Sequence, residues 1–277
     1  MNNLVKRTIT GIIYIAIMLA GASLHPQLFA VVFAILLLLT QKEFYKVMEK
    51  GDIHCHKTPG LIMGIMLFVA CFGTVYGILP QKSCLIFILA LIFIFIINIF
   101  NNNTRIIETS TVTFTGFIYV GVPFSLLNFI VFPGYPADRL FNPSILIGIF
   151  FITWINDTFA YLTGYFFGKH KIHKKISPQK TWEGFVAGAV FALITGVLNA
   201  VIIKSTTIAE WLIIAGIIVL FGTLGDLFES KIKRDINIKD SGNILPGHGG
   251  LLDRFDSLLF VIPAVYVWLT LTKNILI

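Results

Sequence analysis

Four aspartates stand where this 277-residue chain carries almost no other charge, and they are the residues best placed to do chemistry. Asp157 is the sole charged side chain between Leu140 and Gly168, and Asp226 the sole one between Trp211 and Phe228. Asp253 and Asp256 follow in Asp253-Arg254-Phe255-Asp256, at the start of the last apolar run. Spaced i, i+3, they share a helix face and sit at the positive end of the helix dipole. An ionisable group inside an apolar run costs roughly 2.5–3.5 kcal/mol on insertion, so its presence calls for a reason. Asp157, Tyr161, Gly164 and Gly168 recur at helical spacing, which gives one face an acid, an aromatic hydroxyl and two residues small enough for close backbone approach. A structural Asp bonded to a neighbouring helix is the plainer reading of Asp157. Asp226 has Ser230 one turn later on its own face.

Basic residues gather beside these acids. The segment from Gly168 to Gly184 holds five lysines and two histidines and includes Ser177-Pro178-Gln179-Lys180-Thr181-Trp182-Glu183-Gly184. That run predicts a turn followed by an acid, Glu183, capping the next helix. A basic loop of this kind can also serve only to fix topology or to hold acidic headgroups. A second polar stretch, Lys231 to Gly250, carries Lys231, Lys233, Arg234 and Lys239. It ends in Pro246-Gly247-His248-Gly249-Gly250, a flexible turn that lets backbone N–H groups approach a ligand. Carboxylates are the hard oxygen ligands that Mg²⁺ takes, usually with waters and substrate phosphates completing its shell. Lysine and arginine clamp phosphate oxygens and offset charge that develops on a transferred group. Together these groups suit phosphoryl or nucleotidyl transfer. The chain lacks a P-loop, a Gly-x-Ser-x-Gly elbow and a His-Glu-x-x-His pair, which lowers the P-loop, acyl-hydrolase and zinc-protease readings. His248, in its glycine turn, suits a structural or phosphate-bonding role better than that of a general base.

The elements that position these groups follow from hydropathy. Hydrophobic residues make up 56% of the chain and charged ones 13%, against about 25% charged in a soluble domain. Runs such as Ser83 to Thr104, with no charge at all, match the ~20 apolar residues that cross a bilayer. Lipid satisfies no backbone polar group, and the runs lack period-two alternation, so they predict helices rather than barrel strands. The expectation is an all-α polytopic integral membrane protein with about nine transmembrane helices. They fall near 5–23, 27–46, 60–80, 83–101, 108–132, 144–167, 184–204, 209–228 and 253–273. With a cytoplasmic N-terminus, 17 of the 21 Lys and Arg residues lie in cytoplasmic segments, which argues for that orientation. Residues 1–277 read as one membrane domain, with 1–143 as scaffold helices and 144–277 carrying the site. The connection from Gln41 to Lys57 mixes Lys, Glu, Asp and His without a motif and reads as a solvated cytoplasmic loop. Cys55, Cys71 and Cys84 form no CxxC pair and read as reduced apolar filler, with no zinc site.

At its acids and bases the chain resembles the phosphatidate cytidylyltransferases, also called CDP-diacylglycerol synthases. Their signature runs Ser-x-apolar-Lys-Arg, then Lys-Asp, then after a short spacer His-Gly-Gly-apolar-x-Asp-Arg-apolar-Asp. Here it stands as Ser230-Lys231-Ile232-Lys233-Arg234, Lys239-Asp240 and His248-Gly249-Gly250-Leu251-Leu252-Asp253-Arg254-Phe255-Asp256, without departure. Asp157-x-x-Ala160-Tyr161-x-x-Gly164 and Ser177-Pro178-x-Lys180-Thr181-x-Glu183-Gly184 also look like the family's pattern. The N-terminal spans match only in hydropathy and length.

The resemblance implies that CTP and phosphatidate become CDP-diacylglycerol and pyrophosphate, with Mg²⁺ required and room for a second cation. It implies Asp226 and Asp253 as the first metal ligands, with Asp256 and Asp157 behind them. Lys180, Lys233, Arg234 and Lys239 fall to the phosphates, and Arg254 either joins them or pairs with Asp256. Ser230 and His248 would bond phosphate or metal-bound water, and Ser177 and Tyr161 complete the substrate-binding set. The expected catalytic residues are Asp226, Asp253, Lys180, Arg234 and Lys239. No covalent nucleophile is needed, because the lipid phosphate is already ionised. The partners are then CTP, phosphatidate and membrane lipids, with no nucleic acid; a homodimer is plausible, although no residue requires it. The compact length suits a bacterial plasma membrane, with the site facing the cytoplasm. Two rivals stand further off: a transporter of anionic solutes would usually show an internal repeat, and a CDP-alcohol phosphotransferase would carry an Asp-Gly-x-x-Ala-Arg element, which is absent. An enzyme acting on a different lipid phosphate stands nearer.

Overall fold

A chain that cannot hydrogen-bond to lipid must satisfy its backbone internally, and helices dominate here for that reason. The computed structural model describes residues 3–99, 105–204, 206–245, 247 and 249–273. In chain order come α1 (Asn3–Ser23), α2 (Pro26–Lys50), α3 (Lys57–Tyr76), α4 (Ile86–Ile99), α5 (Ile106–Gly116) and α6 (Val122–Ile130). Then follow α7 (Ser144–Phe167), β1 (Lys171–His173), β2 (Ser177–Thr181), α8 (Trp182–Ile202), α9 (Ile208–Asp235) and α10 (Leu252–Lys273). One π turn, Phe117–Gly121, joins α5 to α6 in a continuous rod.

Among the described residues seven rods are long and apolar enough to cross a bilayer: α2, α3, the rod Ile106–Ile130, and α7 to α10. They coincide with seven of the expected spans. The remaining two are apolar but shorter over the described residues. One is Thr8–Ser23 within α1; the other is α4, whose 14 residues rise about 21 Å.

Three local expectations change. The connection after Gln41 is not a solvated loop, because α2 continues to Lys50 and buries Gln41, Glu43, Phe44, Tyr45, Val47 and Met48. Apolar Phe44, Val47 and Met48 keep helical spacing, and the interleaved polar groups find partners inside: Tyr45 Oη donates to the Thr113 carbonyl (2.9 Å) and Gln41 Nε2 to that of Gly60 (2.9 Å). The basic segment after α7 folds into the antiparallel hairpin β1–β2, the only strands among the described residues and the one departure from an all-α chain. Thr181, not Glu183, caps α8, its Oγ1 accepting from the Gly184 N–H (3.1 Å). Glu183 instead turns back and meets His170 Nδ1 at 2.6 Å.

Close helix packing brings the site together. Without a hydrophobic driving force in lipid, helices associate through close contact and occasional polar bonds. Gly184 and Gly188 let α8 lie on α7, since a Cβ at either would strike α7 at Ala160 or Asn156. Asn199 Nδ2 donates to the Gly148 carbonyl (3.2 Å) between the same helices, a bond of about 0.6 kcal/mol in such a setting. The C-terminal ends of α2, α7 and α9, the N-terminal ends of α8 and α10, and the hairpin therefore meet at one end of the bundle.

Candidate active site

The last turns of α9 become polar along one stripe, where Asp226, Glu229, Ser230 and Lys233 recur at helical spacing. β2 lies beside that stripe, and Lys180 Nζ stands 2.6 Å from Asp226 Oδ2. Ser230 Oγ donates to Asp226 Oδ1 (3.2 Å), the one-turn relation their spacing predicts. One turn further on, Lys233 Nζ sits between Glu229 (2.5 Å) and Asp253 Oδ1 (2.7 Å). Asp253 Oδ2 takes three more donors: the Ser241 N–H (3.1 Å), Ser241 Oγ (2.9 Å) and the Gly250 N–H (2.8 Å). It thereby ties both ends of the 241–250 loop to the start of α10.

The other expected residues are placed as follows. Arg234 is exposed and bridges two segments, donating from Nε to the Ile176 carbonyl (3.3 Å) and from Nη1 to that of Ile238 (3.1 Å). Ser177 is half-buried on β2, paired across the hairpin with His173. Lys239 and Arg254 are exposed. Arg254 helps to line a polar cavity of about 620 Å³ with Lys233, Asp240, Asn243, Gly247, Gly249 and Asp253. Asp256 Oδ1 accepts from the Ser257 N–H (2.6 Å), and Asp157 Oδ1 from Asn156 Nδ2 (3.1 Å). Asp157, Asp226 and Glu229 all act electrostatically on Asp256, so four acids from α7, α9 and α10 share one neighbourhood. Tyr161 is 63% exposed, with its ring stacked on Tyr165. His248 lies outside the described residues; Gly247 and Gly249, on either side of it, adopt φ of 78° and 83°, the left-handed backbone expected of the turn.

Two acids join the site that sequence reasoning passed over. Glu229, 1% exposed, was legible from its place on the Asp226–Lys233 stripe. Glu43, 3% exposed on α2, had no local signal, because it precedes a run of ordinary surface charges. The cysteines are free thiols, Cys71 and Cys84 with their sulfurs 3.7 Å apart. Burial pushes the Cys55 thiol up to about 11, which keeps it protonated and unreactive at neutral pH.

No group of three or more His, Cys, Asp or Glu among the described residues is drawn together tightly enough to hold a metal alone. Mg²⁺ does not demand that, because it commonly takes one or two carboxylates and completes its shell with waters and substrate phosphates. Five acids here (Asp157, Asp226, Glu229, Asp253 and Asp256) face three bases, Lys180, Lys233 and Arg254. Glu229 is buried, Asp226, Asp253 and Asp256 are half-buried and Asp157 is exposed. Such carboxylates, crowded in excess of their basic partners, repel one another, so this donor set fits a cation shared with a phosphate ligand. A second, apolar groove of about 720 Å³, lined by residues that include Ile118, Tyr119, Phe221, Phe228, Phe260 and Val267, suits hydrocarbon rather than nucleotide.

A model of the cytidylyltransferase family matches residues 5–272. A phosphatidate cytidylyltransferase of Staphylococcus haemolyticus is 33% identical over 270 residues, 95% of this chain and 98% of that protein. One from Staphylococcus aureus is 34% identical over 267 residues, again 95% of this chain and 98% of its own length. The match to one from Staphylococcus saprophyticus is 44% identical over 153 residues, 54% of this chain and 55% of that protein.

Proposed function

The chain belongs to the cytidylyltransferase family, and on that premise we propose how its acids and bases carry the reaction. It is a nucleotidyltransferase that converts CTP and phosphatidate to CDP-diacylglycerol and pyrophosphate. One observation carries the mechanism: the two aspartates first expected to hold metal are each paired with a lysine expected to hold phosphate, Asp226 with Lys180 and Asp253 with Lys233. These are resting pairs that exchange partners when CTP enters. Lys180 and Lys233 swing onto phosphate oxygens, where charge-assisted bonds are strong. Asp226 and Asp253 Oδ1, freed of their lysines, would hold Mg²⁺, with Asp256 and Asp157 behind them, while Asp253 Oδ2 keeps the loop. Bound there, Mg²⁺ and any second cation would offset the charge on the phosphates.

An oxygen of the phosphatidate phosphate attacks the CTP α-phosphorus. The bond from that phosphorus to the bridging oxygen breaks, and its electron pair leaves with pyrophosphate. Positioning and charge supply the catalysis, as in other phosphoryl transfers. Arg254 and Lys239 approach the triphosphate from the rim of the polar cavity and Arg234 from the hairpin side. Ser177, Ser230, His248 and Tyr161 supply hydrogen bonds to phosphate or headgroup. The proposal includes nine spans and a cytoplasmic N-terminus in a bacterial plasma membrane, which puts this end of the bundle where CTP is found, and it is compatible with a homodimer.

Purified protein in detergent, given phosphatidate and radiolabelled CTP with Mg²⁺ or with EDTA, tests it. A labelled lipid formed only with Mg²⁺ is expected. Equal product in EDTA would remove the metal from the mechanism, and product only with another lipid phosphate would change the acceptor.

A further inference from the structure

We propose that Glu43 is a positioning residue for this reaction: from the scaffold helix α2 it holds the 241–252 loop, so that Asp253 and Arg254 face the polar cavity. The inference rests on the functional reading above. Glu43 Oε2 accepts from the Leu252 N–H at 2.7 Å, across 209 residues of sequence. That N–H is one of the donors every helix leaves unsatisfied in its first turn, and negative charge is favoured there. The residue just before α10 is Leu251, which has no side chain able to cap. A carboxylate brought from another helix does the work instead.

The loop is built around that carboxylate. A Cβ on Gly242 would collide with Glu43 Oε1, and a Cβ on Gly250 would collide with both Glu43 and Ser241 Oγ. Ser241, 1% exposed, in turn donates to Asp253 Oδ2 through both its N–H and its hydroxyl. Lys50, two turns along α2 from Glu43, donates to the Ser241 carbonyl (3.4 Å), a second tether from the same helix. Among the described residues no lysine or arginine forms an ion pair with Glu43. A carboxylate buried without a cation is costly unless its hydrogen bonds return that cost, and here its bond goes to the backbone that carries Asp253. Apart from Lys233 on α9, the residues that line the polar cavity (Asp240, Asn243, Gly247, Gly249, Asp253 and Arg254) all lie within or beside the segment so fixed. Glu43 itself is not among the residues that line that cavity, and it acts through the loop.

The test compares wild type, Glu43→Ala, Glu43→Gln and Gly242→Ala as full-length proteins in detergent. Two readouts are needed: steady-state kinetics with CTP and phosphatidate, and amide hydrogen exchange followed by mass spectrometry. Glu43→Ala is expected to raise KM for CTP about tenfold and to speed exchange across 241–252 alone. A loss of folded enzyme would lower kcat and leave KM unchanged. Glu43→Gln keeps a carbonyl oxygen for the Leu252 N–H and is expected to bring KM back within about threefold of wild type. Gly242→Ala leaves α2 intact and pushes the loop off the carboxylate, so it should reproduce the Ala phenotype and carries the test if Glu43→Ala does not fold. Wild-type KM and wild-type exchange in these variants would overturn the proposal, as would a defect that Gln does not relieve. If wild type itself makes no labelled lipid, the functional reading fails, and the exchange data still decide whether Glu43 holds the loop.

Discussion

Asp226 and Asp253 stand on neighbouring helices, yet their surroundings differ in kind. Asp253 receives Lys233, the Ser241 N–H and hydroxyl, and the Gly250 N–H, and its side chain is 10% exposed. Asp226 has Lys180 and Ser230, and its side chain is 33% exposed. The first carboxylate holds backbone in place, and removing it strands buried donors. The second is accessible and held by a single lysine that a phosphate can draw away. On the proposed mechanism two acids of one cluster thus divide their duties: Asp253 answers for architecture and chemistry together, Asp226 for chemistry alone.

That contrast can be broken or sharpened by substitution. Asp226→Asn should lower kcat by about 10²–10³-fold without moving the melting midpoint, read by thermal denaturation beside the labelled-lipid assay; an equal loss of stability would erase the distinction. Asp253→Ala should lose activity and also about 3 kcal/mol of stability, since it leaves the Ser241 hydroxyl and two backbone N–H groups without their acceptor and Lys233 with Glu229 alone. A wild-type denaturation midpoint for that variant would show that the latch is not needed. Lys180→Ala should raise KM for CTP or phosphatidate about tenfold, the cost of one charge-assisted bond; if KM and kcat both stay put, the hairpin serves topology only. Tyr161→Phe should have the smallest effect, within about threefold in KM for phosphatidate, because a solvated hydroxyl is cheaply replaced.

Much of the cluster was legible before any coordinates. Asp157 and Asp226 stood out because a lone charge in an apolar run needs a reason, and Ser230 followed from one helical turn. The stripe Asp226, Glu229, Ser230, Lys233 was equally periodic, but Glu229 was hidden beside a more conspicuous acid. Lys180 read as a phosphate ligand by resemblance alone; its pairing with Asp226 depends on a hairpin that a basic, proline-containing segment does not announce. Glu183 shows the limit of capping rules: the acid was in the right turn, but Thr181 was already at the cap with a shorter reach to the Gly184 N–H.

Sequence alone determined the class of fold, the position of seven long apolar rods and the types and spacing of the acids and bases. Each of these is a local property, set by runs of hydropathy or by residue types at fixed spacing in a medium that forbids unpaired backbone. Tertiary structure alone decided which carboxylate meets which donor. Lys180 reaches Asp226, Lys233 reaches Asp253, and Glu43 reaches the start of α10 only because α2, α9, α10 and the hairpin end at the same place. Such meetings depend on how helices cross and how closely glycines let them approach, and no periodicity along one helix records what the next helix brings to it.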